Sequence, residues 1–104
     1  MISVAVLGAS GRMGSHVVEA VNGASDLELV AALDHADDIA GAARAGAHVA
    51  VDFTVPAATE ANVHALIDAG IHAVVGTTGW TSDALLRVEE HLRERPELGV
   101  LIAP

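Results

Sequence analysis

Five short apolar segments alternate along the chain with stretches whose apolar residues recur every three or four positions. The apolar segments are Ile2–Leu7, Leu27–Leu33, His48–Phe53, His72–Val75 and Gly99–Ala103. Each is rich in Val, Ile, Leu or Ala and shows almost no alternation with polar residues, which is typical of parallel strands covered by helices. The pattern therefore predicts a parallel sheet of about five strands.

The first predicted helix spans residues 11–22, directly after the first strand. Met13, Val17 and Ala20 recur at helical spacing and predict its inner face, and Gly23 marks its end. The next connection, residues 34–47, is close to the minimum length for a crossover between parallel strands. It has room only for a short helix near residues 38–45.

Two longer helices follow the third and fourth strands. Pro56 suits the first turn of one helix, which ends at Gly70. The capping residue Thr81 begins the other, and Pro96 stops it. The apolar residues expected to face the core are Val63, Leu66 and Ile67 in the first helix and Leu85, Val88 and Leu92 in the second. This alternation predicts one α/β domain with a doubly wound parallel sheet.

Composition narrows the possible functions. The 104 residues suit a single domain, and the formal net charge of −9 disfavours binding to nucleic acid through its phosphates. All five cationic residues are arginines, so no lysine is available as an acid or base, and there is no cysteine. Charges interrupt every apolar run before it reaches membrane-spanning length. We therefore expect a soluble cytoplasmic protein without a membrane partner.

Three glycines lie where the first strand meets the first helix. Gly8, Gly11 and Gly14 have the spacing G-x-x-G-x-x-G, one residue wider than the commonest dinucleotide fingerprint. In such loops the glycines permit a tight turn, close approach of a pyrophosphate and close packing of helix on strand. Backbone N–H groups at the start of the helix then meet the anion. The loop predicts a Rossmann-type domain that binds a nicotinamide dinucleotide.

Two charged residues add to this prediction. Arg12 stands in the first helical turn, where the helix dipole opposes a cation unless an anion is bound; the alternative is a solvated surface arginine. Asp34 follows Gly14 by 20 residues, the position of the carboxylate that accepts hydrogen bonds from the ribose. A carboxylate there repels a 2′-phosphate and favours NADH, although His35 and Arg12 partly offset that repulsion and leave NADPH open.

Two further loops end strands at the same edge of the sheet. Asp52-Phe53-Thr54 follows the third strand, and the segment 76–80, GTTGW, follows the fourth. Ligands of open α/β sheets bind outside the carboxyl ends of the strands, so both loops are expected beside the glycine loop. For Thr54 and Thr78 taken singly, helix capping is an equal alternative.

These motifs together resemble the dihydrodipicolinate reductase family, also called 4-hydroxy-tetrahydrodipicolinate reductase. The resemblance rests on GASGRMG at 8–14, the acid at 34, DFTVP at 52–56, GTTGW at 76–80 and LIAP at 101–104. It implies the sheet order 2-1-3-4-5 with a crevice between strands 1 and 3, and NADH or NADPH as cofactor. The cofactor contacts that it implies are Gly8, Ala9, Ser10, Gly11, Arg12, Met13, Asp34, Phe53, Thr54, Gly76, Thr77, Thr78 and Ala103. Trp80 stands where the family usually has Phe.

The resemblance also implies a partner domain. Family members continue into a substrate and tetramerisation domain whose His and Lys motif binds the cyclic dicarboxylate and donates a proton. No catalytic residue is therefore expected within 1–104, which should bind cofactor without turnover. The six histidines form no convincing metal-ligand spacing. The final strand, 99–103, is expected to be an exposed edge that invites pairing between chains.

Two alternatives remain open from the sequence. One is a stand-alone regulatory domain that senses NAD(H), because its cofactor motifs would be the same. The other is a flavodoxin-like or receiver-type domain with the same sheet order, which the glycine loop disfavours.

Overall fold

A parallel sheet with helices on both faces forms the domain. The computed structural model describes residues 1–35 and 37–103. Its elements in chain order are β1 Ile2–Leu7, α1 Arg12–Gly23, β2 Leu27–Leu33, α2 Ala40–Arg44, β3 Val49–Asp52, α3 Pro56–Asp68, β4 His72–Val75, α4 Ser82–Arg93 and β5 Val100–Ile102. Every predicted strand and helix is present, and β3 and β5 are each one residue shorter at both ends than the apolar pattern predicts.

The strand order is β2-β1-β3-β4-β5, and all four pairings are parallel. The predicted Rossmann-like order 2-1-3-4-5 is therefore confirmed. Between β1 and β3 the sheet changes the side on which successive strands are added. Leu7 pairs with Asp52, and Asp52 with Val75, so the ends of the three central strands lie level at one edge. That register brings the three loops singled out by the sequence to a common place.

Alternate residues of the central strands fill two separate cores. Ala5, Leu7, Ala50, Ala73 and Val75 point to the side that α2, α3 and α4 cover. Val4 and Val6 point to the opposite side, where they pack against Val21 of α1. Three helices thus cover one face of the sheet and one helix covers the other.

Two expected helix faces are correct only in part. In α1, Val17 packs on the core as expected, but Met13 and Ala20 are exposed, whereas Gly14 and Val21 are buried. The helix turns Gly14 inward because only a glycine lets its backbone approach β1. In α4, Val88 is buried and Leu92 packs against the core as expected, but Leu85 is exposed and Ala84 is buried in its place. The inner residues expected for α3 are confirmed, since Val63, Leu66 and Ile67 have no exposed surface.

The α1 side of the sheet is covered only in part. Val74 of β4 and Leu101 of β5 are neighbours in register, and they remain 37% and 64% exposed. The continuous apolar strands predicted that both faces of the sheet are covered. Within residues 1–35 and 37–103, the α1 side of β4 and β5 is not completely covered. Within the same residues, no helix has the length and apolar character required to cross a membrane.

Candidate functional site

A cleft of about 570 Å³ opens at the carboxyl ends of β1, β2 and β3. Residues that the sequence predicted for the cofactor site line most of it: Gly8, Ser10, Gly11, Arg12, Met13, Asp34, Phe53, Thr54, Gly76, Thr77 and Thr78. Loops after four different strands contribute to this wall. The cleft lies where the order of the strands reverses, which is the usual ligand position in open α/β sheets.

The glycine loop is tightly folded against the strand ends. Gly8 has φ +79°, a left-handed conformation that disfavours any other residue, and its N–H donates to the Leu33 carbonyl at 2.8 Å. A Cβ on Gly8 would overlap the backbone of Phe53, and one on Gly14 would overlap the backbone of Gly8. These two glycines therefore set how closely α1 and the β3 loop approach β1.

Helix α1 begins at the cleft without a side-chain cap. Its N-cap is Gly11, no side chain accepts from the first turn, and that turn holds no acidic residue. The N–H groups at Arg12 and Met13 are thus available to an anion. Arg12 is exposed, and among the described residues no carboxylate lies within ion-pair distance of it. The start of α1 is therefore a positively polarised wall.

Asp34 lines the same cleft and holds the glycine loop. Its Oδ1 accepts from the Ser10 N–H at 2.9 Å and from the Ser10 hydroxyl at 2.8 Å. These hydrogen bonds, first the one from the backbone, lower the pKa of Asp34 below its usual value, with a smaller contribution from the charge of His35. The side chain is therefore a carboxylate at neutral pH. Among the described residues no donor is assigned to Oδ2, which remains open to a ligand.

Asp52 is buried and accepts hydrogen bonds from the loops that follow β3 and β4. It has no exposed surface, and its Oδ1 accepts from the Thr54 N–H at 2.9 Å, the Thr54 hydroxyl at 2.6 Å and the Thr77 hydroxyl at 3.0 Å. Its Oδ2 accepts from the Thr59 hydroxyl at 3.1 Å. A buried carboxylate needs such donors when no cation neutralises it. Asp52 therefore fixes Thr54 and Thr77 in the wall of the cleft.

The GTTGW loop approaches the β3 loop closely. A Cβ on Gly76 would overlap the ring of Phe53, so that ring lies directly against the backbone of the loop. Neither Thr54 nor Thr78 caps a helix: the N-caps of α3 and α4 are Val55 and Thr81, and the Thr81 hydroxyl accepts from Ala84 N–H at 3.1 Å. The capping alternative for Thr54 and Thr78 is thus wrong.

A smaller cleft of about 350 Å³ adjoins the first and shares Thr77 and Thr78 with it. Gly79, Trp80, Ile102 and Ala103 complete its wall. The Trp80 Nε1 is buried, and no hydrogen-bond partner for it exists among the described residues. Ala103 therefore lies beside the GTTGW loop, while Pro104 of the LIAP motif is outside the described residues.

One predicted contact lies elsewhere. Ala9 lines neither cleft; it packs against the core on the α1 side, and its N–H donates to the Leu33 carbonyl. The sequence reasoning missed Ile39 and Asn62, which line the main cleft. Asn62 donates to the Thr54 hydroxyl at 3.3 Å, and its place two turns into α3 was the only signal that could have identified it.

Metal-ligating side chains do not gather in this part of the chain. Within residues 1–35 and 37–103 there is no group of three or more His, Asp or Glu residues arranged to hold a metal ion. Two histidines do meet, however, because α3 and α4 bring His64 and His91 into contact. Sequence spacing did not reveal that contact.

Comparisons with known proteins agree with this architecture. The family model described as dihydrodipicolinate reductase, N-terminus, matches residues 2–104. The 4-hydroxy-tetrahydrodipicolinate reductases of Beutenbergia cavernae and Streptomyces avermitilis are 64% and 52% identical over 103 residues, which is 99% of this chain and 41% of each relative. The chain thus spans about two fifths of the length of these relatives.

A solved structure extends the similarity to the fold. Dipicolinate-bound dihydrodipicolinate reductase from Paenisporosarcina superimposes with a TM-score of 0.86 at 27% identity, covering 100% of this chain and 47% of that one. The match of the family model across nearly every residue, together with this superposition, leads to one conclusion. This chain belongs to the dihydrodipicolinate reductase family and corresponds to its N-terminal, nucleotide-binding Rossmann-type domain.

Proposed function

We propose that this chain is the NAD(P)H-binding part of a cytoplasmic 4-hydroxy-tetrahydrodipicolinate reductase. The observation that carries the proposal is that an uncapped α1 N-terminus and the Asp34 carboxylate line the same cleft. The described residues fit a nicotinamide dinucleotide, because the α1 N-terminus suits its pyrophosphate and the Asp34 carboxylate suits its ribose. The cofactor supplies the hydride when it is bound, and the residues of this chain position it.

The binding arrangement follows from the cleft. The free N–H groups of Arg12 and Met13 hold the pyrophosphate, the Arg12 side chain adds a cation beside it, and Asp34 Oδ2 accepts from the adenosine ribose. Phe53, Thr54 and the backbone of Gly76–Thr78 line the nicotinamide side, and Ala103 lies at its far end. Asp52 orients the two threonines but does not contact the cofactor itself.

NADH is the preferred cofactor in this proposal, and NADPH is also accepted. The low pKa of Asp34 keeps a negative charge where the 2′-phosphate of NADPH would lie. Arg12 and His35 line the same cleft and partly neutralise that repulsion. We expect measurable binding of both cofactors, with NADH binding more tightly.

Titration calorimetry with NADH and NADPH tests the site directly. Trp80 is the only tryptophan and the chain has no tyrosine, so its fluorescence gives a second readout beside the nicotinamide end. Asp34→Asn should weaken NADH binding and reduce the difference between the affinities for NADH and NADPH. Asp26→Asn, an exposed acid outside the cleft, removes the same charge and should leave both affinities unchanged. Failure of both cofactors to bind the unaltered chain would overturn the proposal.

Turnover is expected to need the rest of the protein. The relatives that match are reductases, which disfavours the regulatory alternative, and they extend well beyond the matched part. We propose that the substrate, a cyclic dicarboxylate, and the proton donor are handled by that further part, and that the longer protein is a homotetramer. Steady reductase activity of the 104-residue chain alone would contradict this division of roles.

Self-association through β5 is a separate proposal. β5 is an edge strand of the sheet, and its Leu101 is mostly exposed beside Val74. An uncovered apolar edge strand favours pairing with another chain. Sedimentation should show concentration-dependent dimers that Leu101→Lys abolishes, whereas Leu86→Lys on the exposed side of α4 should leave them intact. A strict monomer at high concentration would argue against pairing.

A further inference from the structure

Two stripes of charged residues face each other where α3 packs on α4. Glu60, His64 and Asp68 recur every four residues along α3, and Arg87, His91 and Arg95 recur likewise along α4 and the turn after it. Side chains separated by four residues lie on the same face of a helix. The two stripes therefore run in register, with each residue of the first facing the residue 27 positions later in the chain.

The contacts along these stripes form one continuous network. His64 Nε2 lies 3.0 Å from Glu60 Oε2, and His91 Nε2 lies 2.7 Å from Asp68 Oδ1. Between them, His64 Nδ1 and His91 Nδ1 are 2.7 Å apart. Arg87 donates to both oxygens of Glu60, at 2.7 and 2.8 Å. Every ring nitrogen of the two histidines is thus in hydrogen-bond contact.

The two imidazole rings meet edge to edge. The planes of the two rings differ by 18°, and the ring centroids are 5.0 Å apart. Each centroid lies about one bond length behind its Nδ1 atom. A centroid separation of 5.0 Å therefore means that the two rings lie in line through their Nδ1 atoms. The lone pair and the N–H of an imidazole nitrogen lie in the plane of the ring. Near-coplanar rings in line therefore have the geometry of an N–H···N hydrogen bond.

The hydrogen-bond partners limit where the protons of the two rings can lie. An ionised carboxylate only accepts hydrogen bonds, so a proton on each Nε2 satisfies the contacts with Glu60 and Asp68. The pKa of Glu60 is lowered to about 2, chiefly by hydrogen bonds from Arg87 and then His64, so Glu60 is ionised at neutral pH. One further proton satisfies the Nδ1···Nδ1 contact, because two N–H groups would repel each other and two bare nitrogens would bring their lone pairs together. Three protons, one more than two neutral imidazoles carry, thus satisfy every contact of the two rings.

We propose that His64 and His91 form a proton-binding site in which the two Nδ1 atoms share one proton and join α3 to α4. The site is distinct from the cofactor cleft, since neither histidine lines it. A metal ion does not explain the contact as well. Two nitrogens bound to one zinc ion at about 2.0–2.1 Å in tetrahedral geometry lie roughly 3.4 Å apart, clearly more than the distance between these two.

The surroundings favour a single positive charge. The charged groups that face the pair are Glu60 and Asp68 from α3 and Arg87 from α4, with Arg95 donating to the carbonyls of Ile67 and Asp68. Glu97 binds Arg95 in turn. Both carboxylates contact the rings directly, whereas both guanidiniums contact other groups. The rings themselves are 29% and 17% exposed, so solvent screens the pair only in part.

Nuclear magnetic resonance of the 15N-histidine-labelled chain tests the proton count without a substitution. At pH 7 in the presence of a chelator, we expect both Nε2 atoms of the pair to be protonated and both Nδ1 atoms to show shifts between those of N–H and bare nitrogen. Two independent neutral tautomers at pH 7 would overturn the proposal.

Substitutions supply a second, independent measurement. His91→Gln should return the Nδ1 signal of His64 to the shift of an unshared nitrogen and lower the free energy of unfolding. His16→Gln, an exposed histidine of α1, should leave both unchanged. An unchanged His64 Nδ1 signal in His91→Gln would contradict a shared proton. Stoichiometric zinc that shifts both Nδ1 signals would also contradict it and assign a metal site.

Discussion

Ser10 donates two hydrogen bonds to a single oxygen of Asp34, from its backbone N–H at 2.9 Å and from its hydroxyl at 2.8 Å. This contact ties the glycine loop after β1 to the end of β2, 24 residues later in the chain. Because both bonds use Oδ1, the carboxylate orders the glycine loop with one oxygen and presents the other to the cleft. In the proposed arrangement, one residue thus orders the loop and accepts a hydrogen bond from the ribose.

Ser10→Ala should weaken cofactor binding without disturbing the fold. It removes the hydroxyl bond but keeps the backbone bond, and a hydrogen bond of this kind is worth about 0.5–1.5 kcal/mol. We expect NADH affinity to fall by roughly two- to tenfold and the pKa of Asp34 to rise toward its ordinary value. Calorimetry measures the first effect and carboxyl chemical shifts the second. Ser25→Ala, in an exposed turn, is the control; an equal loss of affinity in both variants would contradict the role of Ser10.

Gly14 in the first turn of α1 and Gly23 at the end of the same helix should respond oppositely to substitution by alanine. A Cβ at Gly14 would overlap the backbone of Gly8, whereas a Cβ at Gly23 meets nothing within 4 Å. Gly14→Ala should destabilise the domain by about 1–3 kcal/mol or more, because neither backbone segment can yield. Gly23→Ala should be neutral or stabilising by up to about 1 kcal/mol, since alanine favours helix. Urea unfolding separates the two outcomes, and similar stabilities would refute the close contact of α1 with β1.

The strands were the most predictable part of the molecule. Strands buried between helices are continuous apolar runs, so β1, β2 and β4 have the bounds that the sequence predicts. Helix faces were less predictable, because spacing did not show that Gly14 rather than Met13 must face the sheet. A pattern of apolar residues also cannot reveal which small residue permits the closest approach.

Contacts across the fold were beyond sequence reasoning. The DFT motif was recognised as part of a ligand-facing loop, but the donors to Asp52 include Thr59 and Thr77, which are 7 and 25 residues away. Their convergence depends on the register of β3 against β4. The contact between His64 and His91 likewise depends on how α3 packs on α4. Local patterns predicted where the cofactor cleft lies, whereas tertiary packing determines which side chains hold it in shape.

Thr77 tests the role of Asp52 in shaping the cleft. Its hydroxyl donates to Asp52 Oδ1 and accepts from the Thr54 N–H at 2.9 Å. Thr77→Val has the same shape but no hydroxyl and leaves a buried carboxylate short of a donor, which should cost about 1–3 kcal/mol of stability. Thr77→Ser keeps both bonds and should lose less than about 1 kcal/mol. Urea unfolding and NADH titration should rank the two variants in the same order; equal stabilities would show that the hydroxyl contributes nothing.

Arg87 should govern how the domain responds to acid. Its bidentate contact is the main cause of the low pKa of Glu60, about 2 compared with 4.5 for an ordinary glutamate. A carboxylate whose pKa is depressed on folding contributes stability that is fully present above pH 4.5 and is lost as pH falls from there toward about 2. Arg87→Gln should raise the pKa of Glu60 and make stability less dependent on pH across that interval. The matched control is Arg93→Gln, because Arg93 and Glu89 form an exposed pair 3.7 Å apart on the same helix, and such pairs contribute little. Thermal unfolding between pH 2 and 6 measures both, and indistinguishable acid profiles for the two variants would contradict the assignment of the Glu60 pKa to Arg87.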